Sequence, residues 1–134
     1  SLPGGAPVPA EPPRGNLTGS AIQSAAELGY DVLLWSVTRG SAGVGTPASV
    51  ADHLARTVAP GDVVALHDGI GRGTFHPRAP GAHELRARRR VEVQALPAAV
   101  ERVLGQGLRL VTVSALLAAG EQHPAHTLTN TRRQ

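Results

Sequence analysis

The chain has 134 residues, with 13 basic residues against 10 acidic ones and a formal net charge of +3. Every basic residue is Arg and Cys is absent, which excludes a disulfide scaffold, a thiolate zinc site and a cysteine nucleophile. No apolar run reaches the roughly 18 residues that cross a bilayer, and no signal-peptide pattern is visible.

The ends of the chain differ in composition from its middle. Residues 1–13 are rich in Pro and Gly and predict an unpacked lead-in, or a junction near Glu11 and Pro12. Residues 121–134 are polar without an apolar pattern and predict a disordered tail. Residues 14–120 are therefore expected to form one partial domain.

Capping residues and apolar spacing indicate helices. Thr18 and Ser114 are N-cap candidates, and Thr46 is an N-cap followed by Pro at the first helical position. Pro97 is compatible with a helix only in its first turn. The spacing of the apolar residues indicates that helix; they are Val93, Leu96, Val100, Val103 and Leu104. The predicted helices are 19–28, 47–58, 94–105 and 115–119.

Three short apolar runs between the helices predict buried parallel strands, near 32–37, 63–67 and 108–113. Alternation of helices with such strands indicates an α/β fold. Three strands are too few for a complete barrel. We therefore expect the carboxyl-terminal half of a distorted (β/α) barrel, with a long loop over 69–91.

Candidate catalytic residues are sought at the carboxyl ends of the strands, where α/β folds place their sites. His67 and Asp68 end the second predicted strand and precede a Gly-rich loop. A His in this position suits general acid or base chemistry. It is equally compatible with a hydrogen-bonded His that holds the loop. Arg72 and Phe75 in that loop are candidate substrate contacts, since long loops at this face often cover substrates.

Three further patterns argue against other functions. The glycines around Arg72 match neither a dinucleotide fingerprint nor a P-loop, and no Lys is present to reach a phosphate. The basic cluster Arg86–Arg90 lacks the interleaved aromatics of single-strand nucleic-acid binders. The His spacings do not form a three-ligand zinc set.

Four segments, in order, resemble the second half of the polysaccharide deacetylases, the NodB homology domain of carbohydrate esterase family 4. The third of these segments, which has the pattern Pro-Gly-Asp-x-x-x-Leu-His-Asp, is the most specific of the four. The segments are Pro-Pro-Arg-Gly-Asn at 12–16, Gly-Tyr-Asp-Val-Leu-Leu-Trp-Ser-Val at 29–37, Pro-Gly-Asp-Val-Val-Ala-Leu-His-Asp at 60–68 and Gly-Leu-Arg-Leu-Val-Thr-Val at 107–113.

This resemblance implies metal-dependent hydrolysis of acetyl groups on a glycan. The family uses zinc or a similar divalent metal to polarise the acetyl carbonyl and activate water. Its ligands lie in an early Thr-Phe-Asp-Asp-Gly motif and a later His-x-x-x-His, both absent here, so no metal ligands are assigned. The family's late His, which protonates the leaving nitrogen, maps onto His67. Arg14, Leu66 and Asp68 are the implied glycan contacts beside Arg72 and Phe75.

Several departures from the family pattern affect the expected site. Glu11 stands where the third motif usually begins with Arg, and no strand is expected before it. Thr-Arg-Gly-Ser-Ala at 38–42 replaces an acidic stretch that ends Asp-Trp. In the family, the Arg of the third motif and the Asp of the acidic stretch normally tune the pKa of the late His. Ala65 replaces a Leu that lines the acetyl pocket, unless Leu66 substitutes through a register shift.

The sequence thus predicts part of a polysaccharide deacetylase, inactive by itself, whose substrate is chitin-like, peptidoglycan-like or another acetylated glycan. Family members are often exported or at the cell envelope. One alternative is a non-catalytic carbohydrate-binding remnant of the barrel. A second is a polyanion or nucleic-acid binder that uses Arg86–Arg90, which the patterns above do not favour.

Overall fold

A computed structural model describes residues 8–12, 15–40, 43–69 and 79–120. It contains four helices and four short strands in these residues, and the strands pair in parallel, β1 with β2 and β3 with β4. This confirms a mixed α/β chain, and the arrangement is compatible with part of a barrel. In chain order the elements are β1 Val8–Ala10, α1 Gly19–Glu27, β2 Tyr30–Val32, β3 Val37–Thr38, α2 Pro47–Thr57, β4 Val64–Ala65, α3 Ala82–Gly105 and α4 Val113–Ala119.

The chain divides into two compact units, the first formed by the described residues up to 35 together with 111–120. Here β1 pairs with β2, and α1 is capped by the Thr18 hydroxyl as the sequence predicts. The strand β1 lies in the segment expected to be unpacked. It forms despite Pro9 because an edge strand tolerates a missing N–H, and its carbonyl at Ala10 accepts from Leu33 N–H at 2.9 Å.

The second unit comprises the described residues from 36 to 110 and contains the hydrophobic core. The helix α2 begins where the sequence predicts, with a reciprocal capping box between Thr46 and Ser49. Its buried face packs against α3, where small side chains allow close approach of the two helices. The central core residues are Val37, Val50, Ala51, Leu54, Val91, Ala95 and Ala99.

The helix α3 differs most from its prediction, because it begins at Ala82 rather than near residue 94. The loop expected over 69–91 is therefore helical in its second part, where Ala, Arg, Leu and Glu are strong helix formers. Pro97 lies in the interior of the helix, so its expected first-turn position is wrong.

The buried face of α3 contains several small residues. Among the apolar residues that mark this helix in the sequence, Val93, Leu96 and Leu104 are about half exposed, whereas Val103 is buried together with Ala95 and Ala99. The large apolar residues thus do not by themselves define the buried face, because the helix packs largely through its alanines against α2.

The predicted strands are shorter in the structure or absent. The run 32–37 is divided between the end of β2 and the start of β3, and the run 63–67 contributes only β4. The run 108–113 is not a strand: no described strand pairs with it, and Leu110 and Val111 remain exposed. The last helix begins at Val113 with Thr112, not Ser114, as its cap.

Candidate functional site

His67 lies two residues beyond β4, close to the end of β3. The parallel register pairs Val37 with Val64 and Thr38 with Ala65, so both strands end at one edge of the sheet. Arg39 follows one strand and His67 the other. This edge holds the carboxyl ends of the two strands, where α/β folds place their sites.

The residue that joins these two strand ends is Glu92 of α3, whose side chain is fully buried. Its Oε2 accepts from the backbone N–H of His67 at 2.7 Å and lies 3.2 Å from His67 Nδ1. Its Oε1 accepts from Arg89 Nη1 at 2.7 Å and lies 3.4 Å from Arg39 Nε. Both carboxylate oxygens are therefore held by partners.

These partners keep Glu92 charged although it is buried. Burial by itself would raise the pKa of Glu92, but hydrogen bonds from Arg89 and from the backbone and ring of His67 outweigh burial, so its pKa is lowered. The pKa of Arg39 is also lowered, by burial and by the nearby positive charge of Arg88, although Glu92 opposes this shift. An Arg remains charged after such a shift, so the site contains a buried ion pair.

Arg39 also fixes the loop that leads into α2. Its Nη1 donates to the carbonyl of Gly43 at 3.0 Å and its Nη2 to that of Val44 at 2.5 Å. A side chain at Gly45, whose φ is +68°, would place its Cβ 3.3 Å from Nη2. The site is therefore assembled from β3, β4, this loop and α3 of the second unit.

Sequence reasoning missed Glu92 and the role of Arg39. A signal was present, since Glu92 precedes Ala95 by three residues and Ala99 by seven, which places a carboxylate on the buried stripe of α3. That stripe was not recognised, because the larger apolar residues of the helix follow a different face. Arg39 was noted only as the replacement for an acidic stretch.

Several residues that carry the family resemblance hold the backbone rather than form a pocket. Asp62 accepts the Ser36 hydroxyl at 2.6 Å and the Ala59 N–H at 2.7 Å, closing the turn before β4. In the first unit Gly15 has a φ of +64° and lies against Trp35, so that a Cβ there would overlap the ring. These contacts give physical reasons for Gly, Trp, Ser and Asp at the matching positions.

The other predicted site residues fall in different places. Leu66 packs against the core cluster, on the side that alternation assigns to it, and a role in glycan contact stays a prediction. Asp68 is exposed beside His67. Arg14, Arg72 and Phe75 lie outside the described residues.

The basic cluster is part of α3 and is only partly free for other partners. Arg89 is bound to Glu92, and Arg88 is half-buried, whereas Arg86 and Arg90 are exposed. Within the described segments, no group of three or more His, Cys, Asp or Glu side chains is placed to hold a metal ion. No helix in these segments has the length and apolar character needed to span a membrane.

Comparison with known proteins gives one informative similarity. Over 108 residues the chain is 31% identical to a peptidoglycan-N-acetylglucosamine deacetylase of Bacillus cereus. The aligned segment covers 79% of this chain and 43% of that protein. The chain thus spans less than half the length of the relative it matches. No family model matches, and no solved structure matches significantly. The similarity supports a relationship to the deacetylases.

Proposed function

We propose that the chain is the carboxyl-terminal part of a metal-dependent carbohydrate deacetylase, in which His67 is the general acid. The observation that carries this proposal is the position of His67. It matches the family's late His, follows a parallel strand at its carboxyl end, and has a side chain that is 49% exposed although Glu92 holds its backbone and Nδ1. The similarity to a peptidoglycan deacetylase favours an acetylated glycan of the cell wall as substrate.

The chemistry explains why a proton donor is needed. Hydrolysis of an N-acetyl group breaks the bond between the carbonyl carbon and the sugar nitrogen, and an amide anion is a poor leaving group. A protonated His67 would transfer its Nε2 proton to that nitrogen as the bond breaks, and would become a neutral ring with its remaining proton on Nδ1. General-acid help of this kind is typically worth about 10²–10⁴-fold in rate.

The proposed metal requires residues beyond those described. The described residues include no cluster that fits a divalent ion. The family resemblance assigns the ligands to the Thr-Phe-Asp-Asp-Gly and His-x-x-x-His motifs, which this chain lacks. The residues assigned here therefore act in proton transfer and positioning, and the chain alone is expected to release no acetate.

The test uses a restored domain, which is this chain joined to an amino-terminal half that carries both metal motifs. Acetate release from an N-acetylglucosamine oligomer is measured at saturating metal. His67→Ala should lower the rate by about 10²–10⁴-fold, or about 3–5 kcal/mol of transition-state stabilisation. Asp68→Asn, the matched neighbour, should cost less. Glycan binding by a restored domain that releases no acetate would instead indicate a carbohydrate-binding remnant.

A further inference from the structure

We propose that Glu92 is the positioning residue for His67: it holds the ring in the Nδ1–H form and leaves Nε2 as the atom that exchanges a proton with substrate. This inference rests on the proposed function for its catalytic meaning. The hydrogen-bond geometry on which it depends stands apart from that function and can be measured without any activity.

The first argument concerns which atom holds the proton. An ionised carboxylate has no hydrogen to donate, so a ring nitrogen that bonds to it must be the donor. Nδ1 of His67 lies 3.2 Å from Glu92 Oε2. A neutral His67 therefore carries its single proton on Nδ1 and keeps Nε2 unprotonated. A charged His67 carries a second proton, on Nε2, and that is the proton it can deliver.

The second argument concerns the rigidity of the acceptor. The same Oε2 accepts from the backbone N–H of His67, while Arg89 and Arg39 contact Oε1. The carboxylate cannot rotate without losing a partner on each side. Glu92 lies near the middle of a 24-residue helix that packs on the core, so its position is fixed by a rigid element.

The third argument concerns charge at the strand ends. Arg39 stands in the stretch that replaces the family's acidic residues, so this stretch brings a positive charge to the end of β3. Glu92 contacts both residues and supplies the negative charge from a different element. The remaining charged groups around this carboxylate are Arg89, which is bound to it, and Arg88, which acts on Arg39. Glu92 thus supplies, from α3, a carboxylate that residues 38–42 lack.

Substitution of Glu92 by Gln is a sharp test because a neutral amide cannot serve all four contacts. Its NH₂ group must face either the two Arg side chains or His67 N–H and Nδ1–H, and all of these are donors. Because the charged Arg donors bind an oxygen more strongly than the neutral donors of His67 do, the amide oxygen should face the Arg side chains. The NH₂ group then faces His67 and removes the acceptor of Nδ1–H, although the shape of the side chain is unchanged. Because buried Arg39 then lacks its counter-charge, the double variant Arg39→Met with Glu92→Gln provides a second test without that charge.

The readout is ¹⁵N NMR of the imidazole nitrogens in the 134-residue chain labelled at His, in solution or, for an associated sample, in the solid state. The His67 signals are assigned by their loss in His67→Gln. In the wild-type chain at a pH where the ring is neutral, Nδ1 should give the protonated shift and Nε2 the unprotonated one. Both Glu92 variants should lose this preference. Glu101→Gln, an exposed position of the same helix, should retain it.

A wild-type His67 with its proton on Nε2, with mixed forms, or with signals unchanged in both Glu92 variants would overturn the inference. Kinetics of the restored domain separate it from the proposed function. Glu92→Gln should lower kcat with little change in KM, by roughly the 10–100-fold that is typical when a carboxylate that orients a metal-bound His is lost. If His67→Ala leaves acetate release intact, the proposed function fails while the NMR result still decides the role of Glu92.

Discussion

Removal of the Glu92 carboxylate should destabilise the fold strongly. In Glu92→Leu the side chain of Arg39, 6% exposed, remains buried without a counter-charge. Loss of one partner of a buried ion pair typically costs about 3–5 kcal/mol. Arg89, whose side chain is 18% exposed, can turn toward water and should add little. The expected loss is a large part of the roughly 5–15 kcal/mol that stabilises an ordinary domain.

Pairing this change with Arg39→Met tests the reasoning. The double variant leaves no buried charge at these two positions. Beyond the hydrogen bonds to Glu92 that both variants lose, it loses the bonds from Arg39 to the carbonyls of Gly43 and Val44, worth about 1 kcal/mol each and together less than the cost of the unpaired Arg39 charge. It should therefore be more stable than Glu92→Leu alone. The assay is urea unfolding of the restored domain for the wild type, both single variants and the double variant. A Glu92→Leu loss below about 1 kcal/mol, or additive single effects, would refute the account of a buried, coupled pair.

Three further outcomes are expected. Because the pKa of Glu92 is lowered, its ionisation contributes stability that is present above the ordinary Glu pKa and is lost as pH falls through the lower folded value. In thermal melts from pH 7 to 3, Glu92→Gln should therefore lose less stability on acidification than the wild type. An equal loss of stability in both would contradict this. Gly15→Ala places a Cβ against Trp35 on a backbone in the left-handed region, and should lower the free energy of unfolding in urea by at least about 1–2 kcal/mol. Gly19→Ala, whose Cβ meets open space, should not. Equal effects of the two substitutions would contradict the packing argument. The isolated chain exposes apolar positions such as Val93 and Leu96, so it should associate in sedimentation experiments and show only a weak thermal melt. A monomer with a cooperative melt above about 60 °C would contradict this expectation.

Local signals in the sequence predicted part of this structure. The N-caps Thr18 and Thr46 and the Pro after Thr46 identify α1 and α2, because capping depends on residues adjacent in the chain. His67 was found by the same kind of local reasoning, since it follows a short apolar run and precedes a Gly-rich loop.

Features that depend on distant partners could not be predicted in this way. The run 108–113 has the composition of a strand, but strand formation needs a neighbouring ladder, and no described strand provides one. From the sequence alone Glu92 cannot be distinguished from any other acidic residue of a helix until α3 is placed against β3 and β4. Only then does its carboxylate meet Arg39 and His67, 53 and 25 residues away in the chain. The face of α3 that is buried was likewise decided by the alanines that fit α2.

The most direct test of the central claim compares two substrates of the restored domain that differ in their leaving group. An N-acetylglucosamine oligomer must expel an amine nitrogen, whereas 4-nitrophenyl acetate expels a stable phenolate that needs no proton. If His67 is the general acid, His67→Ala should slow acetate release from the oligomer by about 10²–10⁴-fold and leave release from the aryl ester nearly unchanged. Equal losses on both substrates, or a variant that keeps more than half of the parental rate on the oligomer, would contradict the assignment.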